Sequence, residues 1–194
     1  MTRPSPARER ILLTADRLFY DEGIHAVGIQ RIVAESGVTR VTLYRHFPSK
    51  DDLIAAYLDR RAAHDHAQVD GVIDAHRDDP RRALTELAVV LTRDDFAGIR
   101  RGCPFINASA EFTGSHPARV RAHEIRRWVT GRLEELLRRL DHRDPRAGAE
   151  QLMMVRTGAV VSGALDGNDR LGEDFVRCWD QLIDSGLPSP TERS

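Results

Sequence analysis

The chain has 194 residues, 41% of them hydrophobic, and a formal net charge of −1, enough to bury a core in one or two compact units. No stretch reaches the roughly 18 consecutive apolar residues of a membrane span, and the polar start Met1-Thr2-Arg3-Pro4 lacks the apolar run of a secretory signal. The two cysteines, Cys103 and Cys178, lie far apart with no metal-ligand spacing, which fits a reduced, cytoplasmic protein without a cofactor.

Few prolines, 6% aromatics and the lack of sustained apolar alternation predict an all-α chain. The first helix is expected over 6–22, where Ile11, Leu12, Ala15, Leu18 and Phe19 share one face and Gly23 stops it. Ile29, Ile32 and Val33 mark a short second helix ending at Gly37, placed for the left-handed position that closes helices. Thr39 is set to cap a third helix, with Leu43 and Phe47 pointing inward and Pro48 ending it. Ser49-Lys50-Asp51-Asp52 then forms a capping box, with Asp in place of Glu, before Leu53, Ile54, Tyr57 and Leu58. Further helices are expected from there to about 76, from Pro80, over 104–112, from Pro117 to about 140, from Pro145 to about 166, and over 171–185. A loop is expected over 98–102 and a frayed tail over 188–194.

The chemistry concentrates in residues 36–50. This stretch holds Arg40, Arg45 and Lys50, the only lysine of the chain, and contains no acid. Two helices joined by a Gly-containing turn, the second one basic and free of acids, describe a helix-turn-helix laid against phosphates. Arg40, near the start of the second of these helices, has the fork that reads guanine N7 and O6, and Val41 can press on a thymine methyl. Thr42, Tyr44 and Lys50 are donors suited to phosphates. Thr39, Gln30 and Arg45 complete the expected DNA-binding set together with His46, which is as well suited to packing as to a phosphate.

The run Gly37-Val-Thr-Arg-Val-Thr-Leu-Tyr-Arg-His-Phe-Pro-Ser-Lys50 resembles the signature of the tetracycline-repressor (TetR) family, and the likeness extends over about residues 8–58. The resemblance implies a bacterial transcriptional regulator, usually a repressor, that acts as an all-helical homodimer on a pseudo-palindromic double-stranded DNA operator. It implies a DNA-binding domain over 1–58 and a helical ligand-binding and dimerisation domain over 59–194. Many members carry Ser or Thr where this chain has Gly28, which offers no hydroxyl to a phosphate.

Residues 102–112 resemble a segment that follows the DNA domain in one group of TetR regulators. That likeness implies a pocket for a small apolar or aromatic effector near Phe105, Asn107 and Phe112, with Trp128, Met153 and Met154 available to line it. Core packing is the competing reading for each of these residues. For the dimer, Ala159, Gly163 and Ala164 offer small residues on one helix, and Phe175, Trp179 and Leu182 an apolar stripe on the last. Cys103, beside Arg100 and Arg101, has surroundings that favour a thiolate, against the plainer reading of an inert buried cysteine. No nucleophile elbow, Gly-rich phosphate loop or catalytic triad is present, so an enzyme is not expected. The alternative function is small-molecule binding with a vestigial DNA domain, for which Gly28 is the one pointer.

Overall fold

Ser5 opens the first helix: its Oγ accepts the Arg8 N–H at 3.4 Å, and Pro6 takes the first helical position, where a missing N–H costs nothing. In the computed structural model, which describes residues 5–96, 101–166 and 170–188, nine helices and no strand occur among the described residues. They are α1 (Pro6–Glu22), α2 (Ile29–Ser36), α3 (Arg40–His46), α4 (Lys50–Ala75), α5 (Pro80–Phe96), α6 (Pro104–Glu111), α7 (Pro117–Arg139), α8 (Pro145–Asp166) and α9 (Leu171–Ser185). The caps are those the sequence announces. Thr39 Oγ1 accepts from Thr42 N at 3.1 Å, and Ser49 and Asp52 bond reciprocally, with Ser49 N to Asp52 Oδ2 at 3.0 Å and Asp52 N to Ser49 Oγ at 3.1 Å. Asp79 and Asp144 cap α5 and α8 in the same manner, each just before the proline that opens the helix. The loop expected over 98–102 is described only from Arg101 onward, and the tail only to Pro188.

The helices group into two compact units: the chain to Ala63 with Cys103–Glu124, and the remainder. In the first unit, Ile11, Leu18, Phe19, Ile32, Leu43, Phe47, Leu53 and Tyr57 are buried, and the Phe19 and Tyr57 rings meet edge to face at 5.7 Å. One charge sits among them. The Asp16 side chain, 13% exposed, accepts from Arg61 Nε at 2.7 Å, and Arg61 stacks over Tyr20 and Tyr57. Asp16→Ala strands a half-buried guanidinium and is expected to cost about 1–3 kcal/mol, discounted for partial exposure. Chemical denaturation of the variant checks this; a loss under about 0.5 kcal/mol contradicts it.

In the second unit, α5, α8 and α9 pack around Leu84, Leu87, Leu152, Met153, Phe175, Trp179 and Ile183, with Leu133, Leu136 and Leu137 of α7 in the same cluster. Trp179 is fully buried and its indole donates to the Leu84 carbonyl at 2.9 Å. This corrects the stripe expected for a dimer. Phe175 and Trp179 are consumed by the subunit's own core, and Ala159 is also buried. The large apolar residues that α8 leaves exposed are Met154, Val161 and Leu165, with Gly158 exposed between them, and these fall at i, i+4, i+7 and i+11 on one face.

Candidate nucleic-acid interface

The turn between α2 and α3 is built on Gly37, whose φ of 64° lies in the left-handed region that only glycine enters without strain. Leu43, fully buried, and Phe47 then anchor α3 on the first unit's core. With that face fixed, the remaining residues must point outward. Arg40, Val41, Tyr44 and Arg45 are exposed, Val41 by 79%. The Arg40 guanidinium lies 5.6 Å from the Tyr44 ring centre, one turn along the same face. This stacking narrows the rotamers open to Arg40.

Thr39 and Thr42 form one hydroxyl pair, Oγ1 to Oγ1 at 2.9 Å. Because Thr39 Oγ1 accepts the Thr42 amide, its own hydrogen can serve Thr42 Oγ1, which frees the Thr42 hydroxyl hydrogen for an outside acceptor. Gln30 is exposed on α2. Gly28 caps α2 from extended backbone with no side-chain bond, and open space lies where its Cβ would be. The first N–H groups of α2 are therefore not covered by a cap hydroxyl, and the helix forms without one. Arg31 and Arg17, by contrast, are engaged with Glu35, and Arg31 also with Glu22, which draws these two cations into the surface linking α1 and α2. The Arg31 partner first, then Arg17, hold the Glu35 carboxyl below its ordinary range.

Two expected contacts are placed with internal partners. Lys50 Nζ donates to the Ile24 carbonyl at 2.6 Å and lies 5.9 Å from the Phe19 ring centre, and burial pushes its pKa down. An ammonium has three donors, so this bond leaves two for phosphate oxygens. His46 is half-buried with Nε2 3.4 Å from Ser5 Oγ, and Arg8 stacks over Phe47 at 5.0 Å. The N-terminus of α1 thus meets the C-terminal end of α3.

The residues expected around an effector are divided between the units. Phe105 and Phe112 are buried in the first, where Asn107 is half-buried. Trp128, half-buried in the second, stacks on His66 with centroids 4.0 Å apart, and Met153 belongs to that unit's core. Cys103 is buried at the N-cap of α6; Arg100 lies outside the described residues. Sequence reasoning missed Glu111. Its carboxylate accepts from the amides of Ile24 and His25, and no spacing rule links residues 87 and 86 positions apart.

Comparison with known proteins agrees with this geometry. Residues 11–57 match the family model of the bacterial regulatory proteins of the tetR family. The crystal structure of SCO4454, a TetR-family transcriptional regulator from Streptomyces coelicolor, is 38% identical and superposes with a TM-score of 0.89 over 94% of this chain and 96% of that one. The HTH-type transcriptional regulator LmrA of Bacillus subtilis is 28% identical over 166 residues, 83% of each protein. YxaF, another HTH-type regulator of Bacillus subtilis, is 46% identical over 55 residues, and that match spans only 29% of its length. A helix-turn-helix with an exposed acid-free outward face, on a chain whose described residues form helices only and that aligns with SCO4454 over 94% of its length at 38% identity, places this protein in the TetR family of DNA-binding transcriptional regulators.

Proposed function

We propose that the protein is a homodimeric, cytoplasmic repressor that leaves its operator when a small apolar or aromatic effector binds the C-terminal helices. The observation that carries the DNA half of this reading is the outward face of α3, where Arg40 stacks on Tyr44 beside the exposed methyls of Val41. Arg40 and Val41 read bases in the major groove, while Gln30, Thr39, Thr42, Tyr44, Arg45, His46 and Lys50 face the sugar-phosphate backbone. Two such helices, roughly 34–36 Å apart, meet successive major grooves of a pseudo-palindrome.

The stripe Met154, Gly158, Val161 and Leu165 supports the dimer, since an exposed apolar helix face of this length is stabilised by a second copy. Val161→Arg with Leu165→Arg is expected to give monomers at micromolar concentration by sedimentation velocity and to abolish cooperative operator binding. A dimer that persists in the double variant contradicts the placement. For the effector, Trp128 supplies ring surface on the second unit. Repression with release requires that the effector prefer the conformation that does not fit DNA. The test is titration of aromatic, aliphatic and charged compounds against the protein–operator complex. Release by the aromatic set, weakened in Trp128→Ala with free-protein operator affinity kept, is the expected result; release by charged compounds alone overturns it.

A further inference from the structure

The end of α6 grips the turn that leads into the helix-turn-helix, and the lysine that follows α3 bonds the same turn. Before α2, Glu111 Oε1 accepts from Ile24 N at 2.9 Å and Oε2 from His25 N at 2.7 Å. His25 Nε2 returns a bond to the Glu111 carbonyl at 2.7 Å, and because a carbonyl only accepts, that ring nitrogen carries the proton. After α3, Lys50 donates to the carbonyl of the same Ile24, and Glu111 contributes attraction to that ammonium.

The next residue, Phe112, is buried between two imidazoles, 4.7 Å from His25 and stacked at 3.9 Å on His116. His116 Nδ1 accepts the Ala118 amide, which leaves its Nε2–H turned toward Asp51 at 3.9 Å. Arg119 Nη1 donates to the Ser109 carbonyl near the end of α6 and to that of Phe112 just after it. The chain enters α2 four residues after His25 and leaves α3 four residues before Lys50. Both junctions therefore meet at the turn Ile24–His25, whose amides Glu111 holds and whose Ile24 carbonyl Lys50 holds.

We propose that Glu111 is a positioning residue for DNA recognition: by fixing the turn that enters α2 and, through Ile24, the lysine that opens α4, it sets the orientation of α3 without touching DNA. A carboxylate accepting two adjacent amides is a charge-assisted, two-point clamp, stiffer than a single neutral bond. Its loss leaves the turn at Ile24–His25 free to shift and lets the recognition helix sample orientations that bind less well. The inference rests on the DNA-binding reading given above.

Glu111→Gln tests it, because the amide keeps the length but replaces one accepting oxygen with an NH2 facing an N–H. Operator affinity is expected to fall about tenfold, while the slope of log affinity against log salt stays that of the unaltered protein, since no phosphate contact is removed. His25→Ala, which removes the imidazole–carbonyl bond and the ring contact with Phe112 but leaves the carboxylate clamp, is expected to lose about threefold with the same slope and serves if the first variant does not fold. Unchanged affinity in the folded variants, or a loss accompanied by a shallower slope, overturns the proposal. Hydrogen exchange gives a second readout that needs no DNA: faster exchange in Glu111→Gln should spread from residues 24–25 through α2 and α3. Exchange raised at residues 24–25 alone overturns the clamp, whereas failure of the unaltered protein to bind any DNA overturns the DNA-binding reading itself.

Discussion

Replacing Trp179 by alanine is expected to cost about 3–5 kcal/mol of stability, the range for deleting a fully buried aromatic side chain. The indole has no exposed surface, meets Phe175 at 5.4 Å and donates to the Leu84 carbonyl, so its removal opens a cavity where α5, α8 and α9 meet. The surrounding side chains, Leu84, Leu87 and Ile183, are themselves buried and have little freedom to fill it. Urea denaturation followed by circular dichroism checks the size of the effect. Trp179→Phe should recover part of the loss by restoring ring volume without the donor. A Trp179→Ala cost below about 1.5 kcal/mol would show that the cluster is looser than its burial implies.

Arg40→Ala and Lys50→Ala are expected to weaken operator binding in two different ways. Arg40 is exposed on the reading face, and its removal should cost about 1–3 kcal/mol per half-site on the preferred sequence while leaving affinity for random DNA nearly unchanged. Lys50 should lose affinity for every sequence and lower the salt slope by about one unit per subunit. Because its ammonium also holds Ile24, its effect should exceed that of a lone surface charge. Gel shifts at several salt concentrations, on specific and random duplexes, separate the two. Equal losses on both duplexes in Arg40→Ala would place that guanidinium on the backbone.

The helices were legible because their ends are written locally. Gly23, Gly37, Thr39, the Ser49–Asp52 pair and the prolines at 80, 104, 117 and 145 each act within four residues of themselves, and the structure starts or stops a helix at every one. The outward face of α3 was legible for the same reason: once Leu43 and Phe47 are inward, Arg40, Val41 and Tyr44 are outward by helical spacing. What composition and spacing do not carry are partners distant in sequence. Nothing near Trp179 distinguishes an apolar stripe that packs on α5 of the same subunit from one that waits for a second copy. Nor does any local pattern tell that Lys50 and Glu111 serve the turn at Ile24–His25.

If the exposed face of α3 reads base sequence, as proposed, Arg40 must set at least one base of the preferred site. Selection of binding sites from random DNA, run in parallel on the unaltered protein and on Arg40→Ala, tests it most directly. The unaltered protein should enrich a pseudo-palindromic motif, and the variant the same motif relaxed at one position in each half-site. Identical motifs from the two proteins, or no enriched motif from either, would contradict it.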